Sequence, residues 1–208
     1  MKHKKTDRRS TRTQRLLGEA LVALLLEKRY DAITVQDILE RADIGRSTFY
    51  EHYWDKEDLL TSQAEWLVES LGNQFEQSSK SHPHDPSVWL PSLALFEHIA
   101  THYHHYQALL RGGAVTIFTQ TLQQQLRMRV RTQLQATWTR SNEEDVLDAV
   151  ASYVVGTFVT LMQWWLDSEM SWSPQRTHMF FHMLVSSGIH QVLVQGLEPG
   201  KESEQAEN

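Results

Sequence analysis

The run GRSTFYEHYWDK, Gly45 to Lys56, holds the densest set of side chains suited to recognition. Wound into a helix, it places Phe49 and Tyr53 four apart and turned inward, which leaves Arg46, Ser47, Tyr50 and in part Thr48 facing out. An outward arginine at the start of such a helix can hold guanine O6 and N7 as a bidentate pair. A second set, His98, His102 and His105, follows i, i+4, i+7 spacing along one helix shoulder beside Leu95, Ile99, Tyr103 and Tyr106. Imidazoles so spaced could bind zinc or another transition metal. The nearby carboxylate, Glu97, points elsewhere on the helix, so these histidines read as pH-sensitive surface groups or pocket-lining donors, and no metal or cofactor is expected. His178 and His182 are again four apart, in a stretch where packing is the default. Arg127 and Arg131 form a like-charge pair that reads as a solvated face, with an anionic effector as the alternative. The absence of cysteine excludes disulfides, thiolate metal sites and cysteine nucleophiles.

The elements that position these groups read as helical. Prolines fall only at 83, 86, 91, 174 and 199, and proline is the strongest breaker of a helix interior. The pattern between them predicts helices over about 10–29, 35–41, 45–52, 56–77, 89–110, 114–140, 143–168 and 174–196, with no strand-like alternation and no internal repeat: an all-α fold. Thr34, Asp55, Ser141 (with Glu144 three residues on) and Ser173 (before Pro174) are side-chain caps for helix starts. Ser78 to Ser92 reads as a loop, and RGGA at Arg111 to Ala114 as a second break. In the helix after Thr34, Val35, Ile38, Leu39 and Ala42 share one face, so that helix packs. The short helix after the tight turn DIG then completes a helix-turn-helix, whose second member lies in the major groove.

Charge is distributed to match. The chain carries a net charge of -6, yet residues 1–60 hold 12 Lys and Arg against 11 Asp and Glu, and residues 61–208 hold 8 against 15. Seven of the first 15 residues are Lys or Arg. A basic arm on a locally neutral domain suits a polyanion. The amino end has no pattern of a secretory signal. Ala149 to Leu166 runs 18 residues without a formal charge, which touches the lower limit for a membrane span. Ser152, Thr157, Thr160 and Gln163 dilute it and acidic residues flank it, so it reads as a buried helix, with no membrane partner.

The segment ITVQDILERADIGRSTFYEHYWDKEDLL, Ile33 to Leu60, resembles the DNA-binding segment of the TetR family of bacterial transcription regulators. The likeness runs through Thr34, Ile38, Ala42, Ile44, Thr48, Phe49, Tyr50, His52, Tyr53, Lys56 and Leu59–Leu60. It implies an amino-terminal three-helix helix-turn-helix domain, residues 1–55, then a helical ligand-sensing and dimerisation domain, residues 56–197, and a flexible tail, residues 198–208. It further implies that Thr34, Arg46, Ser47, Thr48, Tyr50, His52 and Lys56 lie at or near double-stranded DNA, some on bases and most on phosphates. The protein would be a cytoplasmic homodimer and not an enzyme, answering to a small-molecule effector that the residues do not identify. Two positions depart from the pattern: Asp43 stands where glycine is common, and Glu51 replaces a residue that is usually basic or neutral. Glu51 would face away from phosphate or accept from a cytosine amine.

Beyond residue 60 the likeness thins. Thr177 to Leu197 also lacks Lys, Arg, Asp and Glu, so two uncharged helices of about 20 residues each present about 30 Å of apolar surface apiece, more than a monomer covers on both sides. A twofold four-helix interface follows, with Val155, Gly156, Leu184 and Gly188 expected in it. Tyr103, Tyr106, His102, Trp138, Phe158, Trp164 and Trp165 are the candidates for an apolar effector pocket, against core and dimer packing as the plainer alternative. WWLDSEMSWSPQ and its sequel also resemble a smaller TetR-like group, the regulators related to dihydroxyacetone kinase. That resemblance carries an alternative function, a co-regulator whose carboxy-terminal domain binds a protein instead of a small ligand. A pocket closed by its own aromatics would favour it. A metal-dependent hydrolase built on the histidines is the remaining rival.

Overall fold

The computed structural model describes residues 6–78, 90–137 and 144–195. Among these no strand occurs, and the order is α1 (Thr6–Glu27), a 3-10 turn (Tyr30–Ala32), α2 (Val35–Ala42), α3 (Arg46–Tyr50), α4 (Lys56–Ser78), α5 (Ser92–Thr101), α6 (Tyr103–Arg111), α7 (Val115–Thr137), α8 (Glu144–Asp167) and α9 (Pro174–Gln195). The expected loop over Ser78 to Ser92, the cap at Ser141, the pocket residue Trp138 and the tail lie wholly or mostly outside the described residues.

In α1 the buried residues Leu17, Ala20, Leu21, Leu24 and Leu25 recur at helical spacing. This stripe packs against α2, α4 and α6. It shares a core with Ile33, Ile38, Leu39, Phe49, Tyr53 and Leu59, which joins the first three helices and the start of α4. Three of the expected caps operate. Thr34 and Asp37 form a reciprocal box at the start of α2, Asp55 Oδ1 accepts the amides of Glu57 and Asp58, each at 2.8 Å, and Ser173 Oγ accepts the amide of Arg176 at 3.2 Å.

The helix expected over 89–110 is two helices. The chain bends at His102 (φ -112°, ψ 28°), where the His102 side chain bonds the His98 carbonyl at 2.9 Å through Nδ1. A side chain that caps its own helix end does so without the glycine or proline that marks most breaks, so the sequence pattern runs straight through it. α5 then packs on α9, and α6 reaches α1.

α8 lies between α7 and α9. It is long and apolar enough to cross a membrane by length and composition, but Val146, Val150, Val154, Phe158, Met162 and Trp165 are among its residues buried in the bundle. The turn into α9 places Glu169 and Met170 in the left-handed region, both at φ 53°. Trp165 Nε1 donates to the Trp172 carbonyl at 2.9 Å across that turn. One side of α8 and α9 is left uncovered, where Tyr153, Trp164, Met179, Phe180, Met183 and Leu184 stay exposed.

Candidate nucleic-acid interface

The turn between α2 and α3 is set by its backbone. Asp43 closes α2 in the left-handed conformation (φ 52°, ψ 46°), which costs an L-residue about 1–2 kcal/mol, and Ile44 N–H bonds back to the Leu39 carbonyl at 3.1 Å. That conformation explains why glycine suits the position. Gly45 then caps α3 with extended backbone (φ -68°, ψ 148°).

Phe49 in α3 is fully buried and Tyr53, just past the helix end, is nearly so, as the four-residue spacing predicts. Arg46 and Ser47 are exposed, Thr48 is half-buried, and Tyr50 is 53% exposed. The Tyr50 ring stands edge-on to Phe49, with centroids 5.3 Å apart. The helix therefore presents Arg46, Ser47 and Tyr50 as one outward ridge anchored by Phe49 behind it. α3 ends at Tyr50, two residues before the expected end, and Glu51 is exposed at its close.

Three further expected contacts look different in place. Thr34 is exposed, but its hydroxyl donates to Asp37 Oδ2 at 2.7 Å and accepts the Asp37 amide at 3.2 Å. Lys28 Nζ meets the same carboxylate at 2.7 Å. The Lys28 ammonium, then the Thr34 hydroxyl and amide, hold the Asp37 carboxyl well below the usual carboxylate range. Thr34 thus acts as a cap. His52 is half-buried, its ring tilted toward Tyr53 at 6.2 Å.

Lys56 departs furthest from the phosphate contact expected of it. Its Nζ donates to the carbonyls of Ile33 at 2.8 Å, Tyr30 at 2.9 Å and Asp31 at 3.4 Å, and it lies 4.5 Å from the Tyr30 ring centroid. An ammonium has three donors and no acceptor, so this one is occupied in tying α4 to the 3-10 turn. Burial, then the charges of Glu57, Asp55 and Asp31, push the Tyr30 phenol well above its ordinary range, so the ring under Lys56 stays neutral.

The 3-10 turn also connects the first helices to the rest of the bundle. Asp31 N–H donates to the Gly112 carbonyl at 3.2 Å. At Gly113 (φ 85°) a Cβ would come within 2.5 Å of Asp31 Oδ1. The RGGA break is therefore the docking point between α6 and the helix-turn-helix.

Trp54 was not singled out by sequence reasoning, yet it is 86% exposed. The available signal was its place: an aromatic four residues after Tyr50, outside the inward Phe49–Tyr53 pair and directly before the charged run Asp55 to Asp58.

Among the described residues, the expected pocket positions divide between the core and the surface. Phe158 and Trp165 are fully buried and pack on Phe96 with ring centroids 5.1 and 5.3 Å away, while Phe181 closes on Phe158 at 5.7 Å. Tyr106 is buried against Phe118 at 5.8 Å. Tyr103 is half-buried and its phenol oxygen accepts from Gln107 Nε2. His102 and Trp164 are exposed. The rings of Phe96, Tyr106, Phe118, Phe158, Trp165 and Phe181 belong to the buried core. An open groove of about 480 Å³ lies elsewhere, between α4 and α7, with Glu65, Glu69, Gln125, Met128, Arg129 and Thr132 among its walls.

The histidines on α5 and α6 do not converge on a point either. The His98 and His102 rings stack at 4.3 Å, and the Nδ1 of His102 is taken by a carbonyl. Burial, then the neighbouring His102 and His105 rings, push His98 down to about 4.

Of the four residues expected in a dimer face, Val155 is 2% exposed and belongs to the core of its own chain, because it sits with Ala151, Val154 and Phe158 on the inward side of α8. Leu184 is 46% exposed. Space outward of Gly156 is open, with no atom within 4 Å of an added Cβ. Gly188 lies within α9.

Residues 18–62 match the family model described as bacterial regulatory proteins, tetR family. Residues 89–187 match one described as a transcriptional regulator C-terminal region. The chain is 47% identical over 60 residues to the uncharacterized HTH-type transcriptional regulator YxbF of Bacillus subtilis (strain 168), covering 28% of this chain and 16% of that protein. It is 33% identical over 63 residues to the HTH-type dhaKLM operon transcriptional activator DhaS of Lactococcus lactis (strain IL1403), covering 30% of this chain and 32% of that protein. The matched segments thus span well under half the length of these curated relatives. Among solved structures, a TetR transcriptional regulator from Streptococcus agalactiae 2603V superposes with TM-score 0.59 at 24% identity, over 86% of this chain and 97% of that one. A TetR-family regulator from Syntrophomonas wolfei superposes with TM-score 0.59 at 15% identity, over 90% and 97%. At these identities the likeness is one of fold.

Proposed function

The chain belongs to the TetR family of bacterial regulatory proteins, and from that premise we propose that it is a cytoplasmic transcription regulator that grips a palindromic operator as a homodimer. The observation that carries this reading is the outward ridge of Arg46, Ser47 and Tyr50, held rigid by the burial of Phe49 and Tyr53. In the major groove Arg46 reads a base edge, and Ser47 and Tyr50 reach bases or backbone.

The uncovered face of α8 and α9 supports the dimer. Tyr153, Met179, Phe180, Met183 and Leu184 form an exposed apolar surface, and the open space at Gly156 admits a second backbone. Two readers on a twofold axis then meet half-sites one DNA turn apart, about 34–36 Å. Regulation is a shift between spacings that fit and do not fit those half-sites. A signal can reach the reader through the contact of Gly112 and Gly113 with Asp31, or along α4, whose Lys56 holds the same 3-10 turn.

For the source of that signal, a second reading has its own support. The aromatic interior around Phe96, Phe158 and Trp165 is filled by the chain's own rings, which favours a protein partner over a ligand in that core. The groove between α4 and α7 is the alternative seat for a small effector.

The test is selection of bound DNA with purified protein, followed by affinity measurements at fixed salt. Arg46→Ala and Tyr50→Ala should each weaken operator binding about 5- to 150-fold, a good base contact being worth about 1–3 kcal/mol, with the dimer intact. Unchanged affinity in both variants would remove the reading.

A further inference from the structure

Trp54 is the most exposed of the large hydrophobic residues described, at 86%. It contributes almost nothing to the core, and it is held in place. Its backbone N–H donates to Asp58 Oδ2 at 2.9 Å, while Asp55 Oδ1 fixes the amides of Glu57 and Asp58. Buried Tyr53 precedes it directly. The backbone on both sides is therefore anchored, and the indole is aimed outward by a rigid turn.

The position identifies the occupant. Trp54 follows Tyr50 by four residues, just beyond the end of α3 and before α4 begins. On a helix seated in the major groove, the amino-terminal residues reach base edges, so the turn after its carboxyl end passes over the groove wall, where sugar and phosphate lie. The surrounding side chains define the chemistry further. Lys56, the cation two residues on, is turned onto backbone carbonyls, and Asp55 is turned onto the Glu57 and Asp58 amides, so neither charge of this turn is directed at the indole's side. An indole supplies instead an apolar face and one neutral N–H donor.

The geometry points to Trp54 as an additional DNA-backbone contact of the reader: its ring covers a deoxyribose and its Nε1–H donates to a phosphate oxygen flanking the half-site. This inference rests on the DNA-binding reading above. A backbone contact carries no sequence information of its own, and a neutral donor displaces no counterion. Both properties separate Trp54 from Arg46.

The experiment compares the full chain with Trp54→Ala, Trp54→Phe and Arg46→Ala on the selected operator duplex and on a scrambled duplex of equal length, across a salt series. Trp54→Ala should bind both duplexes about tenfold more weakly, leave the slope of log K against log salt unchanged, and melt at the wild-type temperature. Trp54→Phe, which keeps a ring and loses the N–H, should fall between. Affinity within twofold of wild type in Trp54→Ala, alongside a loss in Arg46→Ala, overturns this inference and leaves the DNA-binding reading standing. A loss confined to the operator would make Trp54 a base reader and overturns the backbone assignment, and an altered oligomeric state with unchanged DNA affinity would give the indole to a protein contact. No duplex bound by the wild-type chain would overturn both.

Discussion

At Lys56, three carbonyl oxygens and an aromatic face converge on one ammonium. Hydrogen bonds to a charged group contribute about 1.5–3 kcal/mol, so Lys56→Met should lower the unfolding free energy by about that much, measured by urea titration. It should weaken DNA binding without the fall of about 0.9 in salt slope that a lost phosphate contact produces. The sequence could not show this role, because the carbonyl partners lie 23 to 26 residues upstream while Asp55 and Glu57 sit beside it. The histidines teach a related lesson. Spacing put His98, His102 and His105 on one shoulder, but it did not show the burial that, with the neighbouring His102 and His105, holds His98 at about 4, nor the bend at His102. An unfolded histidine titrates near 6.5, so as pH falls from about 6.5 toward 4 the unfolded chain takes up a proton that the folded chain refuses. Stability should be full above that window and decline by about 1–2 kcal/mol within it, allowing for the ring's partial solvent access. His98→Gln should flatten this part of the profile of urea midpoint against pH.

Among the elements, those whose ends carry side-chain caps were legible in advance. Thr34, Asp55 and Ser173 each mark a helix start that the structure places within a residue, because a short polar side chain beside free amides is a local event. The bend at His102 and the early end of α3 were not legible, since no breaker residue marks either. The RGGA break was visible as punctuation, and its purpose emerges only from packing. Gly113 adopts φ 85° with Asp31 against it. Gly113→Ala should therefore destabilise the protein by about 1–3 kcal/mol and loosen the helix-turn-helix from α6, which limited proteolysis around residues 28–34 would detect as faster cleavage. A Gly113→Ala protein that melts and resists protease like wild type would show that the junction carries no strain.

For the molecule as a whole, two long uncharged stretches signalled a surface in need of a cover, but periodicity alone could not say which side of each helix faces the protein's own core. The structure assigns Val155 inward and Leu184 outward. The two substitutions should accordingly diverge. Leu184→Arg places a charge in the uncovered face and should give a folded monomer that loses palindromic DNA binding. Val155→Arg buries an unpaired charge inside one subunit, at a cost of several kcal/mol, and should fail to fold stably. Analytical ultracentrifugation at micromolar concentration, with thermal melts beside it, checks both. A dimeric Leu184→Arg protein would move the interface elsewhere.

The backbone bond from Asp31 to Gly112 has a further use. An amide that closes a seam between two packed units exchanges its proton with solvent only when the seam opens. The rate at which Asp31 acquires deuterium therefore counts how often the reader parts from α6, separately from global unfolding, which the buried stripe of α1 would report. Any molecule that works through this junction must change that one rate while leaving the α1 core amides slow.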